Sequence, residues 1–294
     1  MTTHDLLIRG GTLIDGTGAA PREADVAIAN GRVAALGKDL GTATREIDAK
    51  GAIITPGFVD IHCHYDGQAS WDEDMLPSSV HGVTTAVIGN CGVGFAPVRP
   101  HDHDRLIRLM EGVEDIPGSA LAEGIVWRWE SFGEYLEALD RMPRTMDLAL
   151  LVPHDPLRLY VMGDRAERIE EATDADVAEM KRLLRGALEA GAIGFSTGRT
   201  DNHRTADGKP TPASEATRRE LEALGSAFVG LRHGVLQAVS DFDMDSGPAR
   251  FDAEFDVLEA MARASEGHSF SVSTLQRAVE PKQWQRILAR VEKA

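Results

Sequence analysis

Short apolar runs alternate with longer amphipathic stretches from Ile53 onward, and this alternation narrows the fold of the 294-residue chain more than any other feature. It is typical of βα units, in which helices cover a sheet of parallel strands. The clearest helix is predicted at Asp174–Ala190, where apolar side chains recur at helical spacing. The six predicted strands are Ile53–His62, Thr84–Asn90, Asp147–Val152, Ala192–Thr197, Val235–Asp241 and Ser269–Leu275.

A closed βα barrel needs eight strands, so six predicted strands leave the barrel two units short. We therefore expect an α/β fold that is an incomplete TIM-like (β/α) barrel of the first six βα units, the front part of a longer protein. A fold other than the eight-stranded barrel stays as the alternative. The longest irregular regions, roughly 91–130 and 198–214, both follow predicted strands, and such loops form the face of a barrel that carries its chemistry.

The N-terminal segment has a different pattern, with short strands joined by glycine-rich turns. Asn30-Gly31 lies between two apolar segments, and this dipeptide favours a tight hairpin because both residues tolerate a positive φ. We expect two domains: residues 1–52, a small all-β unit, and residues 53–294, the barrel.

Composition excludes several classes of partner. The chain has 31 Lys+Arg against 47 Asp+Glu, a net charge of −16, whereas nucleic-acid binding relies on a surplus of basic side chains. No stretch approaches the about 20 apolar residues of a membrane span, and the N-terminus lacks the basic and apolar regions of a signal peptide. Two cysteines fit a reducing compartment. We expect a cytoplasmic protein with a small-molecule substrate and neither nucleic acid nor membrane as partner.

The strongest chemical signal is the end of the first predicted strand of the barrel. In an extended strand His62 and His64 point to one face while Cys63 points to the other. Two imidazoles on one face at a strand end predict a metal site, which neighbouring strands can complete. The alternative is a pair of ordinary loop histidines.

Cys91 follows the next strand, in Gly89-Asn90-Cys91-Gly92. The flanking glycines allow a sharp turn that exposes the thiol to a site, and a thiolate is a good zinc ligand. The alternative is a small buried hydrophobic residue, the usual role of a lone cysteine.

Three further residues are candidates for substrate binding. His154 ends the third predicted strand, a position suited to substrate contact or equally to capping a turn. His203 and Arg204 lie in a polar loop after the fourth strand, where Arg204 could bind a carboxylate. A solvated loop without a ligand is the alternative.

The segment Gly194-Phe195-Ser196-Thr197-Gly198 matches the nucleophile motif of serine hydrolases. That motif requires a sharp turn from a strand directly into a helix, whereas Ser196 lies inside a predicted strand with a long polar loop behind it. We therefore interpret Ser196 as structural. The six lysines fall at no predicted strand end, so a carboxylated lysine bridging two metals is not expected.

Three segments carry a resemblance to a known family: Thr55–His64, Gly89–Gly92 and Gly191–Gly198. With the N-terminal β unit they resemble the amidohydrolase superfamily and, more narrowly, its N-acyl-D-amino-acid deacylase (D-aminoacylase) branch. The resemblance implies a TIM-like barrel with a small β-sandwich, to which residues 1–52 would contribute. It also implies zinc at the carboxyl ends of the strands, held by His62, His64 and Cys91.

The activity implied by the resemblance is hydrolysis of the amide C–N bond of an N-acyl-D-amino acid by a zinc-activated water, with a late-strand carboxylate as general base. We expect that Asp beyond Ala294, so no catalytic residue is assigned within the chain. The family also places a metal-binding histidine on each of the fifth and sixth strands. The corresponding strands here contain none, and Asp241 is a candidate replacement.

These departures keep two alternatives open. The chain is either part of the enzyme, inactive alone until an oligomeric partner or a missing C-terminal half completes it, or a catalytically inactive relative that binds or scaffolds and retains zinc structurally. A cyclic amidase of the same superfamily is disfavoured by the absent lysine. One metal ion or two, the acyl group, and the identity and handedness of the amino acid stay open.

Overall fold

A computed structural model describes residues 3–242, 248–274, 278 and 280–294 of the chain. It divides the chain into two units, Met1–Phe58 and Val59–Ala294. The domain boundary after residue 52 stays a prediction.

The N-terminal unit is one five-stranded sheet. Its strands are β1 (Thr3–Leu13), β2 (Arg22–Ala29), β3 (Arg32–Gly37), β4 (Thr42–Asp48) and β5 (Ile53–Ile54). The order is β3-β2-β1-β4, with β5 paired to β1. The predicted hairpin is confirmed: Asn30 and Gly31 join β2 to β3 with φ of 52° and 68°. Leu13, Ala24 and Val26 form its buried cluster.

The second unit is built on a six-stranded sheet in which strands adjacent in sequence are neighbours, in the order β11-β10-β9-β8-β7-β6. All the pairings described from β7 to β11 are parallel. The curled parallel sheet is an incomplete βα barrel, which confirms the predicted fold class. Its strands are β6 (Phe58–Asp60), β7 (Val83–Ile88), β8 (Asp147–Pro153), β9 (Gly194–Arg199), β10 (Val235–Ser240) and β11 (Ser269–Ser273).

Helices cover this sheet, and α6 has the predicted bounds. Thr173 and Asp176 form a capping box at its start, and Gly191 follows its last residue with a φ of 123°. The helices are α1 (His103–Glu114), α2 (Gly118–Gly124), α3 (Phe132–Asp140), α4 (His154–Met162), α5 (Asp164–Glu167), α6 (Asp174–Ala190), α7 (Arg218–Gly225), α8 (Pro248–Ala264) and α9 (Gln283–Val291). In the part of the chain that the structure describes, no helix combines the length and apolar character needed to cross a bilayer.

Several predicted boundaries differ from the structure, and three of the differences matter most. The strand predicted at Ile53–His62 is two short strands, and the second ends at Asp60, before the histidines. The region 91–130, predicted as irregular, contains α1 and α2, because Leu106 and Met110 of α1 bury their side chains at helical spacing. The last predicted strand ends at Ser273, and Leu275, its expected last residue, lies outside the described residues.

Candidate metal site

His62 and His64 lie in the loop directly after β6. Asp60, the last residue of β6, accepts a hydrogen bond from the His62 backbone N–H at 3.2 Å through its side chain. The two imidazole rings lie edge to face with centroids 5.5 Å apart, while the Cys63 thiol donates to the Val87 carbonyl 3.3 Å away. The predicted alternation of the three side chains therefore persists beyond the end of the strand.

Cys91 lies in a tight turn after β7 that brings its thiol to the histidines. Its φ is 59°, and the nearby Gly89 and Gly92 have φ of 81° and 80°, left-handed values that glycine tolerates better than other residues. A Cβ at Gly89 would lie 2.1 Å from the Leu151 carbonyl oxygen, so the turn packs directly on β8. The thiol is buried from solvent, and its Sγ lies 3.1 Å from His62 Nε2.

Two side chains from neighbouring strands hold this turn. Gln237 of β10 accepts the Cys91 backbone N–H at 3.0 Å. Ser196 of β9 accepts the Gly92 N–H at 3.0 Å and donates to the Gly89 carbonyl. Ser196 is fully buried inside β9, so the residue that matches the nucleophile motif supports the Cys91 turn.

Glu114, the last residue of α1, reaches the same site and was missed by sequence reasoning. Its Oε1 lies 3.2 Å from His64 Nε2. Gly112 allows α1 to approach the loop after β9, because a Cβ there would lie 2.2 Å from the Thr205 backbone. A local signal existed, since an acid at the carboxyl end of a helix opposes the helix dipole and calls for a separate reason.

His203, predicted as a substrate contact, lies beside Cys91. A Cβ at Gly198 would lie 2.5 Å from the Cys91 carbonyl oxygen and 3.6 Å from His203 Nδ1, so this glycine admits both loops to one place. Among the described residues, His203 Nδ1 is buried without a hydrogen-bond partner, and so is His64 Nδ1.

These side chains form two sets of potential metal ligands, and in each set the ligand atoms lie within 4.8 Å of one another. One set is His62, His64 and Cys91, and the other is Cys91, Glu114 and His203. Zinc binds sulfur at about 2.3 Å and nitrogen or oxygen at about 2.0–2.2 Å, so two ligands of one ion lie up to about 4.5 Å apart, close to the 4.8 Å limit of these two sets. The donor types and their spacing fit such an ion.

Burial favours the neutral forms of the three imidazoles in these sets. It lowers the pKa of His64 to about 3, with the charges of His62 and His203 acting in the same direction. It also lowers the pKa of His62 and His203. Neutral imidazole is the form that binds metal.

The pKa values of the two acidic groups, Glu114 and Cys91, are raised. Burial and the neighbouring Asp115 raise the pKa of Glu114 to about 7. Burial, and then the charges of Glu114, Asp66 and Asp155, raise the pKa of the Cys91 thiol. A bound cation would reverse these preferences, because it stabilises both the thiolate and the carboxylate.

The other candidates lie in different surroundings. His154 is fully buried and both ring nitrogens have partners: Nδ1 lies 2.9 Å from Thr197 Oγ1 and Nε2 lies 2.8 Å from Glu220 Oε1. Its assignment as a substrate-binding residue finds no support in this geometry. The Arg204 side chain is 40% exposed, and its Nε donates to the Asp201 carbonyl at 3.0 Å, so carboxylate binding by Arg204 stays a prediction.

Asp241, the candidate replacement ligand, follows β10 directly and belongs to neither ligand set. Its carboxylate accepts hydrogen bonds from the Thr200 hydroxyl, the Asp201 backbone N–H and, at 3.2 Å, Asn202 Nδ2. Asp241 therefore organises the start of the loop that carries His203.

A sequence model of the Amidohydrolase family matches residues 45–291. The chain belongs to this family. Its relatives place it in the D-aminoacylase branch: a D-aminoacylase of Alcaligenes xylosoxydans xylosoxydans is 40% identical over 196 residues, which cover 66% of this chain and 37% of that protein.

Solved structures agree with the assignment to this family of metal-dependent hydrolases. A crystal structure of D-aminoacylase superposes with a TM-score of 0.76 at 31% identity, over 99% of this chain and 56% of that one. The N-acyl-D-glutamate deacylase of Bordetella bronchiseptica, solved with zinc and a phosphonate inhibitor, gives 0.71 at 27% identity, over 99% and 56%. The chain thus spans about half the length of its solved relatives.

Proposed function

We propose that this amidohydrolase uses zinc to hydrolyse the amide C–N bond of an N-acyl-D-amino acid, and that His62, His64 and Cys91 hold the metal. The observation that carries the proposal is the convergence of these three ligand atoms within 4.8 Å, at the end of the sheet where β6 and β7 finish. The substrate class follows from the relatives, which are a D-aminoacylase and an N-acyl-D-glutamate deacylase.

The donor set favours zinc over harder cations. Two imidazole nitrogens and a thiolate are ligands that zinc prefers, whereas magnesium and calcium prefer oxygen. Three protein ligands also leave a position open, as a catalytic site requires. When bound there, zinc would polarise an acyl carbonyl and lower the pKa of a water molecule.

The protein's own residues hold the ligands in place. Asp60 fixes the backbone at His62, and Gln237 and Ser196 fix the turn that carries Cys91. Such outer contacts orient metal ligands and raise metal affinity. Partial burial favours the neutral imidazoles, in which one ring nitrogen of each histidine is unprotonated and able to bind a cation.

Arg204 is our candidate for the substrate carboxylate. It lies in the loop after β9, two residues beyond Asn202, and its guanidinium is exposed enough to meet a ligand. A guanidinium binds a carboxylate through two parallel hydrogen bonds. We expect Arg204→Ala to weaken substrate binding and leave metal content unchanged.

The deciding experiment is elemental analysis of the purified chain, compared with Cys91→Ala and with a matched control, Cys63→Ala. The Cys63 thiol donates to the Val87 carbonyl and belongs to neither ligand set, so Cys63→Ala removes a thiol without removing a candidate ligand. We expect zinc in the wild type and in Cys63→Ala, and a large loss in Cys91→Ala. A folded wild type that binds no metal would contradict the proposal.

Activity is tested on N-acetyl-D-amino acids by release of the free amine, with the L enantiomers as controls. Because the chain spans about half of its solved relatives, metal content is the primary test and turnover the second. Zinc binding with D-selective hydrolysis supports the enzyme. Zinc binding with no hydrolysis of any N-acyl amino acid favours an inactive fragment or a binding relative.

A further inference from the structure

The β9–α7 loop, residues 200–217, is held by a carboxyl group near each of its ends. At its start, the Asp241 carboxylate accepts a hydrogen bond from the Thr200 hydroxyl. Toward its far end, Asp155 Oδ1 accepts the Ala213 backbone N–H at 2.5 Å. Asp155 belongs to α4, which follows β8, so a neighbouring βα unit fixes this part of the loop.

The contact at Ala213 controls the part of the loop that reaches the candidate site. Arg204 and Pro210 form an antiparallel bridge, and Pro210 is three residues before Ala213. His203 directly precedes Arg204 and lies beside Cys91. A displacement of the segment around Ala213 would therefore carry Arg204 and His203 with it.

Asp155 is an expensive residue to use for a structural contact alone. It is fully buried, and its Oδ2 has no hydrogen-bond partner among the described residues. Burial raises its pKa to about 8, although the Ala213 N–H and the charge of Arg158 act in the opposite direction. A buried carboxyl group with an unpaired oxygen lowers the stability of a fold, and such groups are concentrated at functional sites.

The groups around Asp155 leave it without a counter-charge of its own. The charged and titratable members of this buried network come from four parts of the fold: Arg158 and His154 of α4, Glu220 of α7, Arg199 at the end of β9 and Cys91 in the turn after β7. Arg158, whose charge lowers the pKa of Asp155, is already paired with Glu220. Burial lowers the pKa of His154 and raises that of the Cys91 thiol, so neither offers a positive charge.

We propose that Asp155 is a positioning residue: its carboxyl group holds the far end of the β9–α7 loop against α4 and thereby sets where Arg204 meets a substrate carboxylate. The role of Arg204 rests on the proposed function, whereas the contact between Asp155 and Ala213 is a property of the fold. Asp155 belongs to neither ligand set, so it acts on the loop and not on the metal.

The contact makes opening of the loop depend on pH. In the closed loop Asp155 is protonated below about pH 8, whereas in an open loop its carboxyl group meets water and its pKa returns toward about 3.9. Between these two values opening releases a proton. The open fraction therefore rises with pH by up to about 10-fold per unit and levels off above about pH 8.

Trypsin cleavage after Arg204 measures this opening, because the backbone there is held in the bridge to Pro210. Asp155→Asn keeps an acceptor for the Ala213 N–H and does not titrate, whereas Asp155→Ala removes the acceptor. Proteins are compared at the same pH, so that the pH response of trypsin itself cancels. Cleavage after Arg182, inside α6, monitors global unfolding in the same digest.

We expect the wild type to be cleaved after Arg204 faster than Asp155→Asn, by a ratio that rises up to about 10-fold per unit between about pH 6 and about pH 8. Asp155→Ala should be cleaved about 10-fold faster than Asp155→Asn at both pH values, because it lacks the hydrogen bond. A ratio of wild type to Asp155→Asn that does not change with pH would overturn the proposal. If Asp155→Ala fails to fold, this comparison decides the question alone.

The control is Asp147→Asn, which changes an exposed acid at the start of β8 and should leave the cleavage of the wild type unchanged at both pH values. In hydrolysis of N-acetyl-D-amino acids, Asp155→Ala should raise KM more than it lowers kcat, and Asp155→Asn should restore KM. Equal cleavage of Asp155→Ala and Asp155→Asn would also contradict a positioning role.

Elemental analysis separates the two proposals. Zinc content should be the same in the wild type and in Asp155→Ala, because Asp155 is not a candidate ligand. A wild type without zinc that still shows pH-dependent cleavage after Arg204 would overturn the proposed function and leave the role of Asp155 in the loop. Bound zinc with cleavage that is independent of pH relative to Asp155→Asn would do the reverse.

Discussion

Two polar clusters at the same end of the sheet each contain histidine and glutamate, yet they differ in which ring nitrogens remain available to a ligand. Around His154, Thr197 and Glu220 take both ring nitrogens, and Arg158 pairs with Glu220. Around Cys91, His64 Nδ1 and His203 Nδ1 have no partner among the described residues. A histidine at a strand end can serve a ligand only when the fold leaves its nitrogens free.

Both glutamates are desolvated, yet their pKa values shift in opposite directions because only Glu220 has partners that stabilise its charge. At Glu220 burial alone would raise the pKa, but the hydrogen bond from His154 and the charges of His154 and Arg158 lower it overall. At Glu114 burial and Asp115 raise the pKa to about 7. The His154 cluster therefore carries its own counter-charge, whereas the Cys91 cluster requires one from outside.

The largest difference between the clusters is expected in the free energy of unfolding when each glutamate is replaced by leucine in the metal-free protein. Glu220→Leu leaves Arg158 buried without its partner and should lower the free energy of unfolding by about 3–5 kcal/mol. Glu114→Leu removes a carboxylate that has no Lys or Arg partner among the described residues, and it should change the free energy of unfolding by less than about 1 kcal/mol. Urea unfolding measures both, and equal losses would remove the distinction between the clusters.

Zinc should stabilise the protein through the Cys91 cluster. At a free zinc concentration about 100 times the Kd of the site, binding adds about 2.7 kcal/mol to the free energy of unfolding. We expect this gain in the wild type and in Cys63→Ala, and none in Cys91→Ala. Thermal unfolding with and without zinc measures it, and an equal rise in Cys91→Ala would place the binding elsewhere.

Ser196→Ala should weaken the Cys91 turn without acting on chemistry directly. Losing the hydrogen bonds to Gly89 and Gly92 should lower the free energy of unfolding by about 1–3 kcal/mol. Zinc affinity should fall about 10-fold to 100-fold, as for other residues that orient metal ligands.

The control for Ser196→Ala is Ser214→Ala, another buried serine, whose hydroxyl donates to the Thr211 carbonyl at 2.8 Å. It should leave zinc affinity unchanged. Unchanged zinc affinity in Ser196→Ala would mean that the turn holds its shape without Ser196.

The smallest effect is expected in how the free energy of unfolding falls at low pH, to which His154 contributes. Burial lowers the folded-state pKa of His154 below 6.5, despite the opposing hydrogen bond to Glu220. The unfolded chain therefore takes up a proton as the pH falls below 6.5 that the folded chain does not, so stability decreases toward acid. The slope from this group is at most about 1.4 kcal/mol per pH unit.

His154→Gln removes this titration while keeping a polar side chain beside Thr197 and Glu220. Between about pH 7.5 and about pH 5.5 it should lose less stability than the wild type. Unfolding free energies at the two pH values measure the difference. An equal loss would show that other groups dominate the acid sensitivity.

Local pattern and residue type determined much of this protein in advance. Alternating apolar runs predicted the parallel sheet, helical spacing predicted α6 from Asp174 to Ala190, and His62, His64 and Cys91 were recognisable as a potential ligand set. These features depend on patterns that repeat every few residues and on side-chain chemistry, and both can be recognised from the sequence alone.

Only the tertiary structure decided which polar groups meet. Glu114 lies in the site because Gly112 permits a close approach of α1 to residues 204–206. His154 is not available to a ligand because Thr197 and Glu220 contact both of its ring nitrogens. Neither outcome has a local signature, since each depends on backbone segments far apart in sequence. The sequence by itself thus determined the strands and the candidate ligands, and long-range packing decided which of them converge.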